Sequence, residues 1–178
     1  MCAQALMMRK SGVELRNIEI GDLSLYEAVH CDPAMMEHLG GPLPREGLAE
    51  KLQRDVASTE AGDLWVLKII PDENAGTAAG TIAIWDHEVN GETITEMGWM
   101  VLPPFQGRGL GSQAVSAALR KIRAEGRWDV VHAFPPTANP RSNAMCRKMG
   151  FSLVEECDFD FRGRILRCNH WQLDLKGD

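Results

Sequence analysis

Val101-Leu102-Pro103-Pro104-Phe105-Gln106-Gly107-Arg108-Gly109-Leu110-Gly111-Ser112 joins an apolar, strand-like run (Met97 to Leu102) to the alanine-rich helical pattern Gln113 to Arg123. The stretch reads as strand, glycine loop, helix. Glycines at alternate positions remove the Cβ atoms that would hold a ligand off the backbone, so consecutive N–H groups can share one concavity at the positive end of a helix dipole. Such a concavity suits a phosphate. A P-loop is excluded, because Leu110-Gly111-Ser112 offers no lysine to reach a nucleotide. A dinucleotide fingerprint is excluded as well, because Gly107, Gly109 and Gly111 are spaced G-x-G-x-G and not G-x-G-x-x-G.

Gln106, Gly109 and Gly111 do satisfy Gln-x-x-Gly-x-Gly, and downstream stands Asn139-Pro140-Arg141-Ser142-Asn143-Ala144-Met145-Cys146-Arg147-Lys148-Met149-Gly150-Phe151. With these two segments the chain resembles the GNAT superfamily of N-acetyltransferases. That family carries Gln/Arg-x-x-Gly-x-Gly/Ala in its acyl-CoA loop after the fourth strand, and a second signature in which Asn and Ser precede a short helix ending in Gly-Phe. Residues 13 to 95 are similar, more weakly, to the subgroup that acetylates ribosomal-protein N-termini. The resemblance implies a mixed α/β fold: a central, mostly antiparallel seven-stranded sheet, splayed between strands 4 and 5 and flanked by about four helices. In that wedge lies the pantetheine arm. Pro103-Pro104 and Pro135-Pro136, at the ends of the two strands, fit a splay because proline cannot donate to a ladder.

Along the chain, residues 1 to 10 read as a disordered start and Val13 to Ile18 as a half-buried first strand. Gly21-Asp22 reads as an N-cap before a helix from Leu23 to His30, with Leu25, Val29 and Met36 on one face. Glu46 to Ser58 is a second amphipathic helix, carrying Leu48, Leu52 and Val56. Strands follow at Leu64 to Ile70, Gly80 to Trp85 and Thr93 to Leu102, with Asp86 to Gly91 as a turn whose Asn90-Gly91 is a hairpin signal. In the last of these strands both faces carry apolar groups, which places it centrally. A helix over 110 to 125 presents Leu110, Ala114, Ala118 and Ile122; then come a strand (Asp129 to Phe134), a helix (Asn139 to Met149) and a terminal hairpin turning at Arg162-Gly163-Arg164. No repeat or second domain appears, so residues 1–178 read as one acyl-CoA N-acyltransferase domain.

The chain has 178 residues, enough to bury a substantial core, and no apolar run longer than a strand, which predicts a soluble, cytoplasmic protein. Five cysteines without C-x-x-C spacing read as reduced thiols, and the histidines lack metal-ligand spacing, so no metal is expected. The net charge of −6 conceals an asymmetry: residues 1 to 100 sum to −10, residues 101 to 150 to +6 and residues 151 to 178 to −2. Positive charge on the two signature segments suits a polyanion, and the acidic remainder suits a cationic or amine partner. No basic stripe with interleaved aromatics appears, which argues against nucleic acid.

The resemblance implies an enzyme that moves an acetyl group from acetyl-CoA to a primary amine by direct attack in a ternary complex. The acceptor is left open among a protein N-terminus, a polyamine, an aminoglycoside-like compound and a small metabolite. The alternative is a non-catalytic acyl-CoA-binding sensor. Gln106, Gly107, Arg108, Gly109, Gly111 and Ser112 are the expected pyrophosphate site; Met100, Val101 and Leu102 would bind pantetheine through their backbone. Asn139 and Ser142 match positions that hydrogen-bond the CoA arm or a water, with helix capping an equal reading for Asn139. Glu96 is the expected general base, since the family often places a carboxylate on this strand facing the cleft. Cys146 stands where many members carry the tyrosine that reprotonates the thiolate; it is a candidate acid, with burial in the core as the favoured alternative. His87, His132 and His170 read as structural, and Trp85 and Trp99 as core residues able to line the acceptor cleft. The edge strands of the terminal hairpin are open to pairing in a homodimer.

Overall fold

The apolar runs become seven strands in the computed structural model, which describes residues 12–74, 76–89 and 91–176. They are β1 (Val13–Asn17), β2 (Leu64–Pro71), β3 (Gly80–Val89), β4 (Glu92–Val101), β5 (Val130–Ala133), β6 (Ser152–Phe161) and β7 (Arg164–Asp174). Five α-helices accompany them among the described residues: α1 (Leu23–His30), α2 (Pro33–Met36), α3 (Leu48–Ala61), α4 (Leu110–Glu125) and α5 (Pro140–Lys148). The strands form one sheet in the order β1-β2-β3-β4-β5-β7-β6, every neighbouring pair antiparallel except β4 with β5. The mixed fold and the seven-stranded, mostly antiparallel sheet expected from the sequence are present. Residues 1 to 10, read as a disordered start, lie outside the described residues.

Each face of the sheet is covered by a different part of the chain. Leu110, Ala114, Val115, Ala118, Leu119 and Ile122 of α4 pack on Ile82, Ile84, Met97, Val131 and Trp171, and small alanines let the helix approach closely. On the opposite face Leu25, Tyr26 and Val29 of α1 and Leu48, Leu52 and Val56 of α3 cover Val66, Ala83 and Met100.

Local chemistry explains where the elements differ from the sequence reading. The carboxylate of Asp22 accepts from the Glu19 N–H and from Lys68 Nζ, each at 2.8 Å, so it holds a 3-10 turn and does not cap α1. A fifth helix, α2, arises because Pro33 occupies its first turn and Asp32 Oδ1 accepts from the N–H groups of Ala34 (2.7 Å) and Met35 (3.2 Å). The third strand continues through Asp86 to Val89, where a turn was expected. There Asp86 Oδ1 accepts from Thr95 Oγ1 at 2.6 Å and Trp128 Nε1 at 2.9 Å, which satisfies a turn-forming residue inside a ladder. Of the hairpin signal only Gly91, at φ +84°, is described; Asn90 lies outside the described residues.

The feature that shapes the site is the divergence of β4 from β5. The two strands pair at a single position, Glu96 opposite His132. Beyond β5 the chain stays with β7: Asn169 N–H donates to the Pro135 carbonyl at 3.0 Å, Thr137 N–H to the Arg167 carbonyl at 2.9 Å, and Pro136 bridges Cys168. Two successive residues without an N–H offer β4 nothing to pair with. Asn143 fixes this course. It is only 4% exposed; its Nδ2 donates to the carbonyls of Pro136 (2.9 Å) and Asn139 (2.8 Å), and its Oδ1 accepts from Asn169 Nδ2 (2.6 Å) and Trp171 Nε1 (2.9 Å). On the other side, β4 is held to β3 by Gly80, where a Cβ would lie 1.9 Å from the Met100 carbonyl oxygen.

Replacing Asn143 with Ala leaves buried donors and acceptors without partners, each costing about 1–3 kcal/mol. Thermal denaturation of Asn143→Ala should therefore show a midpoint lower by roughly 6–12 °C; an unchanged midpoint would mean the network does not hold the wedge.

Candidate functional site

The wedge begins where β4 ends. Leu102 leads into a 3-10 turn at Pro103–Phe105, after which Gly107 (φ +72°) and Gly109 (φ +77°) adopt the left-handed conformation. Gly109 is the N-cap of α4 and supplies no side-chain cap, so the N–H groups of the first turn of a 16-residue helix face outward without a side-chain acceptor. Gly111 lies inside that first turn. A Cβ there would stand 3.3 Å from both Met145 Cε and Val101 Cγ2, so this glycine serves the close packing of α4 on β4 and α5.

Side chains lock the loop. Gln106 Nε2 donates to the Val101 carbonyl at 2.8 Å, and its Oε1 accepts from Arg141 Nη1 at 2.5 Å. Lys148 Nζ donates to Ser112 Oγ at 2.9 Å. Arg108 pairs with Glu73 at 2.5 Å, with both side chains about half exposed. Arg141 and Lys148 were not singled out in the sequence; its only trace of them was the +6 balance of residues 101–150.

The open edge of β4 is also defined. Leu102 N–H donates to the Ala79 carbonyl at 2.8 Å, which makes Val101 and Gly80 a non-hydrogen-bonded pair. By alternation the N–H and C=O groups of Trp99 and Val101 point away from β3, toward the wedge, while those of Met100 and Leu102 point to β3. Of the three residues expected to offer strand-like backbone hydrogen bonds, Val101 faces the wedge, its carbonyl already accepting from Gln106, while Met100 and Leu102 face β3; Trp99, not singled out for its backbone, faces the wedge as well. The Trp99 side chain packs with the α4-side core, whereas Trp85 lies on the other face, its ring 3.5 Å from where a Gly98 Cβ would be.

Glu96 stands on that other face at the base of the wedge, 8% exposed. Its Oε2 is 2.8 Å from His87 Nε2, yet the contact is not aligned for a hydrogen bond, and neither atom has another partner among the described residues. Burial pushes the Glu96 carboxyl above the usual range, while His87 pulls it back more weakly. Around it lie His132, whose Nδ1 is 2.8 Å from His170 Nε2, and a stack in which Phe134 sits between His170 (4.5 Å) and Phe159 (4.6 Å).

The remaining candidates separate. Asn139 Oδ1 accepts from the Ser142 N–H at 3.1 Å, so Asn139 caps α5, and Ser142 sits half-buried in its first turn. Cys146 is fully buried among the α4-side core residues, and burial pushes its thiol up to about 12. This is the packed core position that the sequence reading favoured for Cys146 over an acid facing the thiolate. No group of three or more His, Cys, Asp or Glu among the described residues could hold a metal ion.

A splayed β4–β5 pair with a glycine loop feeding the central helix defines an acyltransferase architecture. The family profile of the acetyltransferase (GNAT) domain matches residues 13–152, and the chain belongs to this family of acetyltransferases. Solved structures of the same fold include a ribosomal L7/L12 α-N-protein acetyltransferase in complex with coenzyme A, at TM-score 0.78 and 20% identity, covering 94% of this chain and 96% of that one. A spermidine N-acetyltransferase from Vibrio cholerae in complex with CoA and spermine has TM-score 0.75 at 15% identity, covering 92% and 95%. A GNAT-family acetyltransferase from Bacillus anthracis has TM-score 0.75 at 18% identity, covering 93% and 96%.

Because native Glu96 keeps its proton to higher pH than in the unfolded chain, its ionisation costs stability as pH rises above about 4.3. Glu96→Gln removes that cost. Denaturant titrations from pH 4 to 7 should show the stability difference between variant and parent moving toward the variant with rising pH; a pH-independent difference would show that Glu96 is not strained by burial.

Proposed function

We propose that this acetyltransferase uses acetyl-CoA to acetylate a primary amine by direct attack within a ternary complex. The observation that carries the reading is the wedge: helix N–H groups without a side-chain cap and cationic side chains at its mouth, a strand edge with the Val101 N–H facing in along one wall, and a buried carboxylate beside His87 at its base.

In this reading the pyrophosphate rests on the backbone of Gly107, Gly109 and Gly111 and on the Ser112 hydroxyl, with Arg108, Arg141 and Lys148 neutralising charge and Gln106 holding the loop to Val101. The pantetheine amides continue the sheet along Val101 and Trp99, and the Val101 N–H is the donor placed to polarise the thioester carbonyl. Asn139 and Ser142 border the arm at the start of α5. Glu96 takes one proton from the acceptor ammonium, which frees the lone pair for attack on the carbonyl carbon. Collapse breaks the C–S bond, and the thiolate takes up a proton from the nitrogen or from water.

The acceptor is a cation meeting an acidic, aromatic-flanked surface: Glu96 with Trp85, Phe134 and Phe159. The protein N-terminus and the polyamine named for the two structural neighbours are the first acceptors to test. We further propose a cytoplasmic enzyme, in keeping with the free thiols of Cys31, Cys146, Cys157 and Cys168. β6, the outer strand of the sheet, with Leu153 and Val154 exposed, is the surface we propose for a homodimer.

A free-thiol assay with acetyl-CoA and a panel of N-terminal peptides, spermidine, aminoglycosides and small amines should show amine-dependent CoA release. Binding of acetyl-CoA with no release for any amine would instead support a sensor. With the active amine, Glu96→Gln should lower kcat about 100-fold or more, with acetyl-CoA affinity nearly unchanged. Lys148→Ala should weaken CoA binding by calorimetry roughly three- to tenfold and flatten its salt dependence; unaltered affinity would remove Lys148 from the pyrophosphate site.

A further inference from the structure

The sequence reading made His87 structural and residues 86 to 91 a turn; β3 instead runs on past Trp85. It is held there by Asp86, whose carboxylate accepts from Thr95 Oγ1, Trp128 Nε1 and Arg127 Nη2 on the α4 side of the sheet. Alternation then sends the next side chain, His87, to the opposite face, where Glu96 stands. Trp85 pairs with Glu96 and His87 with Ile94, so His87 and Glu96 are diagonal neighbours across the ladder, a spacing that long side chains bridge. His87 Nε2 lies 2.8 Å from Glu96 Oε2. The imidazole is bordered by Trp85 at 6.0 Å on its own strand and by the edge-on ring of Phe159 at 6.2 Å from β6.

Two lone pairs facing each other at this distance repel, so a hydrogen lies between the atoms, on Nε2 or on the carboxyl. Oε2 is the buried oxygen of a side chain that is 11% exposed, which leaves Oε1 for an incoming group. We propose that His87 is the positioning residue of the general base: it holds Glu96 Oε2 through the shared hydrogen and turns Oε1 toward the acceptor, an inference that rests on the acetyl-transfer reading above. The contact is bent in the free protein, as catalytic hydrogen bonds often are before substrate arrives. In the reaction the acceptor ammonium passes one proton to Oε1, its nitrogen bonds to the carbonyl carbon, and the C–S bond breaks with its electron pair going to sulfur. His87 keeps its hydrogen throughout and ends each turnover as it began.

The contact also sets how readily Glu96 ionises. Burial favours the neutral acid and is the larger influence, while an N–H aimed at the carboxylate favours the charged base. Without the imidazole, burial acts unopposed and Glu96 holds its proton to higher pH. Two further titratable groups face the pair. His132 from β5 has its affinity for a proton lowered by burial first, then by His170 and His87. Cys168 from β7 has its thiol pushed up to about 11 by burial first, then by Cys157 and Glu96. Trp85 and Phe159 add no charge, so His87 is the group whose removal moves Glu96 most directly.

His87→Leu removes the hydrogen-bonding atom, and His87→Gln keeps an N–H near its place. With the amine that supports the fastest CoA release, His87→Leu should lose roughly tenfold or more in kcat, with KM for acetyl-CoA unchanged and the acid limb of the kcat–pH profile moved to higher pH. His87→Gln should restore kcat to within about threefold of the parent. Parental kcat and acid limb in His87→Leu, or an equal loss in both variants with the acid limb unmoved, would overturn the proposal. Melting temperatures near the parent's exclude misfolding, and His87→Phe serves as a second variant if the leucine form is unstable. An independent arm needs no turnover: side-chain carboxyl NMR of the full chain should show Glu96 titrating at higher pH in His87→Leu than in the parent. Identical titration in the two would overturn it. If the parent releases no CoA with any amine, the acetyl-transfer reading fails, and the NMR titration still decides whether His87 holds Glu96.

Discussion

Everything at this site depends on β4 and β5 meeting once and then parting. Parallel strands that run side by side normally satisfy each other's backbone groups; here pairing stops after Glu96 and His132, and one edge of β4 turns away from any strand, with the Val101 carbonyl taken by Gln106 Nε2 and the Val101 N–H left facing the wedge. The divergence is maintained from the far side. Pro135 and Pro136 have no N–H to give to β4, the segment beyond them bonds to β7, and Asn143 ties it to α5 and to Trp171 through four hydrogen bonds. A buried polar group with every partner in place rigidifies its surroundings. The open edge is therefore a built feature of the sheet.

The two ends of the wedge then acquire opposite chemistry from the same strand. At its C-terminal end β4 delivers a loop whose left-handed glycines turn backbone donors outward, beside Arg141 and Lys148 on α5. At its middle β4 buries Glu96 beneath aromatic and imidazole rings, where desolvation raises the cost of its charge. Backbone donors at one end and a buried carboxylate at the other suit amide formation from a thioester, where positioning contributes much of the rate because the acyl group is already activated.

Much of this was legible in the sequence because it lies in local pattern. The strand–loop–helix stretch 101–112, the segment 139–151 and the apolar spacings of α1, α3 and α4 are short-range signals, and the fold follows from them. The boundaries that moved, at Asp22, Pro33 and Asp86, did so because side chains distant in sequence, such as Lys68 and Trp128, or an adjacent cap such as Asp32, satisfied groups that would otherwise break or start an element. The site was only half legible. Glu96 and Gln106 stand in or beside the motifs, but the imidazole contact between His132 and His170, the clasp of Lys148 on Ser112 and the choice of Val101 over Leu102 as an open-edge residue come from strand register and helix docking. Cys146 shows the converse: its position in the motif suggested chemistry, and only its packing shows that it faces the core.

The central claim is that the unpaired edge of β4 is the surface on which the acyl donor is held, and amide hydrogen exchange reads it most directly. With saturating acetyl-CoA, the Val101 N–H should become strongly protected, while the Leu102 N–H, already donating to Ala79, should change little. Exchange at Val101 unaltered by acetyl-CoA, or protection gained equally along both edges of β4, would contradict the account.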